Sequence, residues 1–484
     1  MKEKTFKGSG HLVLIGNSPF LPVVLEEISR SGFPDIPQLV ILSTIPPSND
    51  STKAFLKKIT VTQGETEEQA ALERTSPHTA QGVLVNTYGE PEADEKALAI
   101  TKLLLENCGV PPKKITLIVS NDTTQKKVYE SYSEPPKIIC VQNVFTRIIG
   151  QSSRQRFLTE VYEELFSFHG NEFYSIPAAN FTGTTFACCL RLYANACPVG
   201  ICTKNALTLN PPMNTVAEED DYLVVLAPAM QDIRKNDTIL PAPDLNALSQ
   251  TTLGKIPSES FIFLGWNDLC PKIISRLDHY APPGSQIQCY SCFSYDIPIF
   301  IPELKNCSIK HDTGEIFDRE FLSNIPWEQF ENIVLPGLNF HENDKTYKLR
   351  NLLEEVLAER GFANNITTVL WHPQENPGDN FPRGTLSISL IFRMTAQHLF
   401  HDEFSRVVDD LTKTTDPEIC LNPVENYVNL EKTVDFYTII EAARNKNETA
   451  IGYVQDKKIL LNPEKSARQQ FNHFDRIIVL SNEQ

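Results

Sequence analysis

Two glycine turns pose the first chemical question. Gly16-Asn17-Ser18 follows the apolar run HLVLI, and Gly265-Trp266-Asn267-Asp268 follows FIFL. A strand, a glycine turn and a helix start direct backbone N–H groups at a point where an anion can bind. A dinucleotide site needs G-x-G-x-x-G, because the later glycines let the backbone approach a pyrophosphate. Ser18 and Leu21 stand at those places after the first turn, and Asn267 and Cys270 after the second. Ser43 and Ser291 stand near the position of the acidic residue that would hold a ribose. The expectation is a Rossmann-like sheet that has lost its dinucleotide site, with both turns kept as candidate sites for another small ligand. The alternative is an NAD(P)-dependent oxidoreductase or a nucleotide sensor with a divergent site.

Three further groups have chemistry-bearing types. Cys289 and Cys292 form a CxxC, but on an expected strand, where residues three apart face opposite sides. No second CxxC completes a zinc site. His398 and His401, with Asp402 and Glu403, could ligate a metal from one helix, or form its polar face opposite Phe400 and Phe404. Glu218, Glu219, Asp220 and Asp221 precede the run YLVVLA. Such hard oxygen ligands suit Ca²⁺, although the loop spacing and central glycine of a Ca²⁺ loop are absent. They are the candidate metal site; a solvated turn is the plainer reading. No nucleophile and base are connected by any known spacing, so no catalytic residue is assigned.

The elements that must position these residues are written twice. With Gly16 set on Gly265, Pro22 falls on Pro271 and Ile28 on Leu277. Gly64-Glu65 falls on Gly314-Glu315, Val83-Leu84-Val85 on Ile333-Val334-Leu335, and Ile115-Thr116 on Ile366-Thr367. Late in each half, Gly200 falls on Gly452, Asn210-Pro211 on Asn462-Pro463, and Asp221 near Asp475. A register that stays near 250 residues over this length marks a duplicated unit. Each unit opens with strands alternating with amphipathic helices, the pattern of a parallel α/β sheet. Leu21, Val24, Leu25 and Ile28 make one helical stripe, and Cys270, Ile273, Ile274 and Leu277 its counterpart. Each unit closes with short strands broken by Asn-Pro or Gly. A crossover helix joins the two parts, near 146–168 with the stripe Phe157, Val161, Leu165, and near 395–411 with Phe400, Phe404, Val407. These stripes are candidate contacts between units, or pack on their own sheets. The expected division is 10–150 and 259–393 for the sheet lobes, 151–229 and 394–484 for crossover and small lobe, and 230–258 for the linker.

Composition bounds the partners. The chain has 484 residues, 44 Lys plus Arg against 61 Asp plus Glu, and a formal net charge of −17. Phosphate backbones repel such a surface, so nucleic acid is not an expected partner. No apolar run approaches the ~20 residues a spanning helix needs. Eleven cysteines, two of them adjacent, suit a reducing compartment, and the expected location is cytoplasmic.

Each unit resembles an RCK (KTN/TrkA-type) domain, and the chain as a whole is similar to the cytosolic part of the CASTOR/POLLUX ion-channel family. The segments EELFSFHGNEFY (163–174), CPVGICTKNALTLNP (197–211), DDYLVVLA (220–227), FIFLGWND (261–268) and YTIIEAARNKNETAIGYVQDKKILLNP (437–463) carry the resemblance. It implies two tandem units, each a Rossmann-like parallel lobe plus a small strand-rich lobe. It implies a non-catalytic gating ring that answers a small ligand or an ion such as Ca²⁺. Four chains would close such a ring, acting on a membrane pore that this chain does not itself carry.

Overall fold

The apolar runs before Gly16 and Gly265 are strands buried on both faces, at the middle of two six-stranded parallel sheets. The computed structural model describes residues 5–31, 36–47, 58–168, 170–204, 206–236, 241–249, 257–292, 302–338, 343–371, 382–400, 404–411 and 417–482. The first sheet comprises β1 (Leu12–Ile15), β2 (Leu39–Ser43), β3 (Ile59–Gln63), β4 (Gly82–Val85), β5 (Ile115–Val119) and β6 (Lys137–Cys140). Its order is β3-β2-β1-β4-β5-β6. A four-stranded antiparallel sheet follows, made of β7 (Glu172–Pro177), β8 (Cys197–Cys202), β9 (Leu207–Leu209) and β10 (Tyr222–Ala227), in the order β7-β10-β8-β9.

The second half repeats both sheets. Strands β11 (Ser260–Leu264), β12 (Ser285–Ser291), β13 (Cys307–Thr313), β14 (Asn332–Leu335), β15 (Asn365–Leu370) and β16 (Thr385–Ser387) are ordered β13-β12-β11-β14-β15-β16. The second small sheet holds β17 (Glu418–Pro423), β19 (Thr449–Gln455), β20 (Lys458–Leu461) and β22 (Arg476–Ser481), in the order β17-β22-β19-β20. The short pair β18 (Thr433–Asp435) and β21 (Arg468–Gln470) lies beside it.

The duplication holds at the level of register. Leu12 faces Leu39 and Gly82; Phe261, its counterpart, faces Ile287 and Asn332. In each small lobe the pairing of the central strand slips by one residue, past Val199 in one and past Ile451 in the other. The glycine after each slip is forced by close approach. A Cβ on Gly200 would lie 2.5 Å from the Thr208 carbonyl oxygen, and one on Gly452 2.3 Å from that of Leu460.

Both parallel sheets have two buried faces, as parallel sheets usually do. The period of two sends Val13 and Ile15 to one core and Leu12 and Leu14 to another. The outer core of each sheet is private to its half. The inner core is shared: residues of the first sheet (Leu12, Leu14, Leu39) and of the second (Phe261, Phe263, Ile287) belong to one continuous apolar cluster. Four helices fill it. Helix Val141–Ser152, which follows β6, packs on helix Cys270–Tyr280 of the other half; helix Ser389–Phe400, which follows β16, packs on helix Leu21–Arg30. Pro sits in the first turn of both opening helices, where a missing N–H costs nothing.

The crossovers differ from their sequence-based outline. Each is two helices rather than one: Val141–Ser152 and Leu158–Leu165 in the first half, Ser389–Phe400 and Phe404–Leu411 in the second. The first break ends at Phe157, whose φ of 75° is left-handed and stops a continuous helix. The second piece of each crossover then lies on the opposite small lobe, Leu158–Leu165 on β17 and Phe404–Leu411 on β9. The stripes Phe157, Val161, Leu165 and Phe400, Phe404, Val407 are therefore contacts between the halves of one chain. Within 230–258, the described residues 241–249 lie against the second small lobe: Leu248 bridges Val428, and the Asp244 N–H donates to Thr438 Oγ1 at 3.1 Å.

Because Gly200 and Gly452 meet the same obstacle, Gly200→Ala and Gly452→Ala should each destabilise the chain by about 1–3 kcal/mol, the scale of an overpacked core site. Urea denaturation of both variants checks this. A loss at one site with none at the other would mean that the two slips are not equivalent.

Candidate functional site

The first glycine turn is closed by the chain's own carboxylate. Gly16 has φ 126°, and a Cβ there would sit 2.0 Å from the Asn86 carbonyl oxygen, so the turn needs glycine. The next residue, Asn17, gives its N–H to Glu90 Oε1 at 2.7 Å and its side-chain amide to Glu90 Oε2 at 3.3 Å. Its Oδ1 accepts from Thr44 N at 2.8 Å and Thr44 Oγ1 at 2.9 Å, tying the end of β1 to the end of β2. Ser18 is buried, and its Oγ accepts from the Phe20 N–H at 3.2 Å. An incoming phosphate would need the same N–H and would meet the charge of Glu90. Lys96, 3.4 Å from Glu90, keeps that carboxylate compensated.

The second turn is closed by different means. Asn267 is buried and donates to the carbonyls of Pro336 and Gly337, both at 2.9 Å, while its Oδ1 accepts from the Leu269 N–H at 2.9 Å. Trp266 is buried with its ring edge on His311, centroids 5.2 Å apart. Among the described residues, neither Trp266 Nε1 nor His311 Nε2 has a hydrogen-bond partner. Burial pushes the His311 pKa down, partly opposed by Asp312. Gly265 has φ 108°, and Asp268 is exposed. The two turns thus share backbone and position, but each is locked by its own asparagine.

The four carboxylates before β10 form a turn. Asp221 is buried, and its Oδ2 accepts the Glu218 N–H at 2.9 Å. Its counterpart Asp475 does the same for the Asn472 N–H at 2.9 Å. Asp220 pairs with exposed Lys204, and that contact lowers its pKa and raises that of the lysine. Glu218 and Glu219 point to solvent. The candidate Ca²⁺ ligands are therefore not gathered, and among the described residues no group of three or more His, Cys, Asp or Glu could hold a metal. The reason is local: one carboxylate must cap the turn that starts β10.

Cys289 and Cys292 are free and buried on opposite faces of their sheet, one in the shared core and one in the private core. His398 is not on a polar face. It is buried against the Phe404 ring, centroids 5.1 Å apart, and burial followed by Lys137 lowers its pKa to about 3. His401, Asp402 and Glu403 lie outside the described residues.

Sequence reasoning missed the polar contacts that join the halves. Asn210 and Asn462 both take left-handed backbones, φ 43° and 46°, before their prolines. Asn210 reaches across to the Asn447 carbonyl at 3.0 Å and accepts from Thr449 Oγ1 at 2.8 Å. Asn462 reaches back to the Asn195 carbonyl at 2.9 Å and accepts from Cys197 Sγ at 3.3 Å. Asn195 and Cys197 are the repeat counterparts of Asn447 and Thr449, so the two asparagines make one contact in mirror order. The repeated Asn-Pro was the available signal. Arg154 and Glu259 form a two-pronged pair, 2.9 and 2.8 Å, between the first crossover and the residue just before β11.

At a third junction, three elements bring charge into the shared core. Glu27 is fully buried on helix Leu21–Arg30 and accepts the Phe168 N–H of the first crossover. Glu163 of that crossover pairs with Arg393 of the second. Burial raises the pKa of both carboxylates; the Phe168 N–H, Arg393 and Arg30 oppose it at Glu27, and Arg393 opposes it at Glu163.

Comparison with known proteins fits this geometry. Residues 142–242 match the family described as Castor and Pollux, part of voltage-gated ion channel. The chain is 21% identical over 477 residues to "Probable ion channel POLLUX" of Oryza sativa subsp. japonica, covering 85% of this chain and 48% of that protein. It is 21% identical over 405 residues to "Ion channel CASTOR" of Lotus japonicus, covering 71% and 46%. The resemblance to the CASTOR/POLLUX ion channels is shown. The chain spans about half the length of the curated relatives it matches. The human SLO3 gating ring superposes on 98% of this chain and 99% of its own, with TM-score 0.67 at 12% identity. The fold is thus that of two tandem RCK-type units. Among the described residues no helix is long and apolar enough to cross a membrane.

Two outcomes follow. Titration with NADH should show no binding at micromolar concentration, since the first turn is occupied by Glu90 and the second by Asn267; a dissociation constant near 1 μM, about −8 kcal/mol, would overturn this. The second outcome concerns pH. The folded chain holds the Glu27 proton at pH values where the unfolded chain has released it, so this group's contribution falls as pH rises above ~4.5. Glu27→Gln does not titrate. Its stability relative to the parent chain should therefore increase between pH 5 and pH 8, by denaturant titration; a pH-independent difference would show that Glu27 is ionised throughout.

Proposed function

We propose that this chain is a regulatory gating-ring module of a cation channel or transporter, and that it performs no catalysis. The observation that carries this reading is the reciprocal packing of the crossovers. Each half seats its crossover on the other half, so a ligand that moves one lobe must move both. That is the mechanical property a gating ring requires. The likeness of the whole chain to a gating-ring fold, and of its sequence to ion channels, supports it.

The ring would hold four chains, each supplying two units, because closed symmetry is how a repeated interface avoids open filaments. Its target would be a membrane pore, in the same polypeptide or a separate one. The effector would be a small ligand or an ion; Ca²⁺ is a reading that must be tested without a preassigned ligand set, since residues 218–221 form a turn.

Light scattering behind a sizing column is the experiment. A species near four times the 54.6 kDa chain mass is expected. A strict monomer at tens of micromolar, about the range of weak specific association, with and without Ca²⁺, would overturn the ring.

A further inference from the structure

A cleft of ≈ 540 Å³ lies between the two halves, and neither glycine turn lines it. One wall is the break in the first crossover: Arg156, Phe157, Thr159 and Glu160. The other is the opposite edge of the second sheet, where β15 and β16 begin, with Arg350 and Arg383. Ligands of parallel α/β sheets bind at the carboxyl ends of the strands; this cleft is at the amino ends, so it is not a remnant of that site.

Its polar groups are unevenly satisfied. Arg350, at the floor, is buried and committed to Glu354 Oε1 at 2.8 Å, Thr368 Oγ1 at 2.8 Å and the Arg383 carbonyl at 2.9 Å. The guanidinium groups of Arg156 and Arg383, at the mouth, make no hydrogen bond or ion pair among the described residues. Both rest on the Phe157 ring instead, 5.3 and 5.6 Å from its centre. Two acceptors in the cleft are the converse case. Glu160 Oε1 takes the Gly384 N–H at 3.1 Å, but among the described residues its Oε2 is buried without a partner, and so is Asn364 Oδ1. Buried polar atoms without partners are uncommon and ask for a reason. Phe157 itself has a left-handed backbone, which a bulky residue adopts only when its surroundings impose it.

We propose that this cleft binds a sugar phosphate, free or as part of a mononucleotide. Two guanidinium forks without a partner among the described residues match the three terminal oxygens of a phosphomonoester better than the two of a carboxylate. Sugar hydroxyls are donors of the kind that Glu160 Oε2 and Asn364 Oδ1 lack. The volume falls in the range of small-molecule sites. A molecule seated here would touch the crossover of the first half and the sheet of the second at once, so it would set the angle between them. That consequence rests on the gating-ring reading; the binding itself does not.

The test is calorimetric titration of the full chain with ribose 5-phosphate, adenosine monophosphate, ribose and inorganic phosphate. Binding of at least one phosphomonoester is expected, tighter by tenfold or more than inorganic phosphate or ribose. Arg156→Ala and Arg383→Ala should each weaken it about tenfold or more, the loss of one charge-assisted contact. Both side chains are exposed and make no hydrogen bond, so the variants should fold, as checked by their thermal unfolding. Glu160→Gln should weaken the ester but not inorganic phosphate. No binding up to about 1 mM, equal binding of inorganic phosphate, or binding that survives the double arginine variant would each overturn the proposal. A positive result with a monomeric chain would keep the site and remove the ring.

Discussion

The inner faces of the two parallel sheets are buried under one helical layer that both halves supply. Everything else depends on that. A parallel sheet buries both faces, and here the outer faces are covered within each half while the inner faces share one helical layer. Helix Val141–Ser152 covers ground that belongs to the other half, and Ser389–Phe400 returns the favour. Neither half could be removed without exposing a large part of the other's core. At roughly 25 cal/mol per Å² of apolar surface, even a few such side chains outweigh any single polar contact between the halves.

Polar contacts then select one arrangement of that layer. The crossed pair Asn210 and Asn462, the Arg154–Glu259 fork and the Glu27, Glu163, Arg393 junction each link two halves at a defined point. Buried charge is a poor source of net stability, because desolvation takes back most of the attraction. Its value is in discrimination: a shifted crossover would leave a carboxylate or a guanidinium alone in the core. The upward pull on Glu27 and Glu163 shows that even the observed arrangement compensates them incompletely.

At the glycine turns the backbone frame is kept while the polar groups around it bond within the chain. Gly16 and Gly265 retain left-handed backbones, since the strand-to-helix turn still requires them. Glu90 supplies the anion at one turn, and Asn267 satisfies neighbouring carbonyls at the other. The fold's usual crevice is thereby turned into internal support.

The sequence alone determined the duplication, the order of strands and helices, and the missing dinucleotide fingerprint, because these follow from spacing and residue type along one chain. The unbroken apolar run LVLI and its repeat partner FIFL dictate a strand with two buried faces, and the stripes at Leu21 and Cys270 dictate helices, wherever they pack. The turn role of residues 218–221 was half legible: Asp221 and Asp475 align, but which carboxylate caps the turn is settled only by backbone geometry. Only the tertiary structure decided where the crossovers lie. A stripe such as Phe404, Val407 and Leu411 states that a helix must be covered and carries no information about which lobe covers it. The break at Phe157, the burial of His398 and the meeting of Arg156 with Arg383 across some 230 residues are likewise consequences of docking two halves, and no local pattern encodes them.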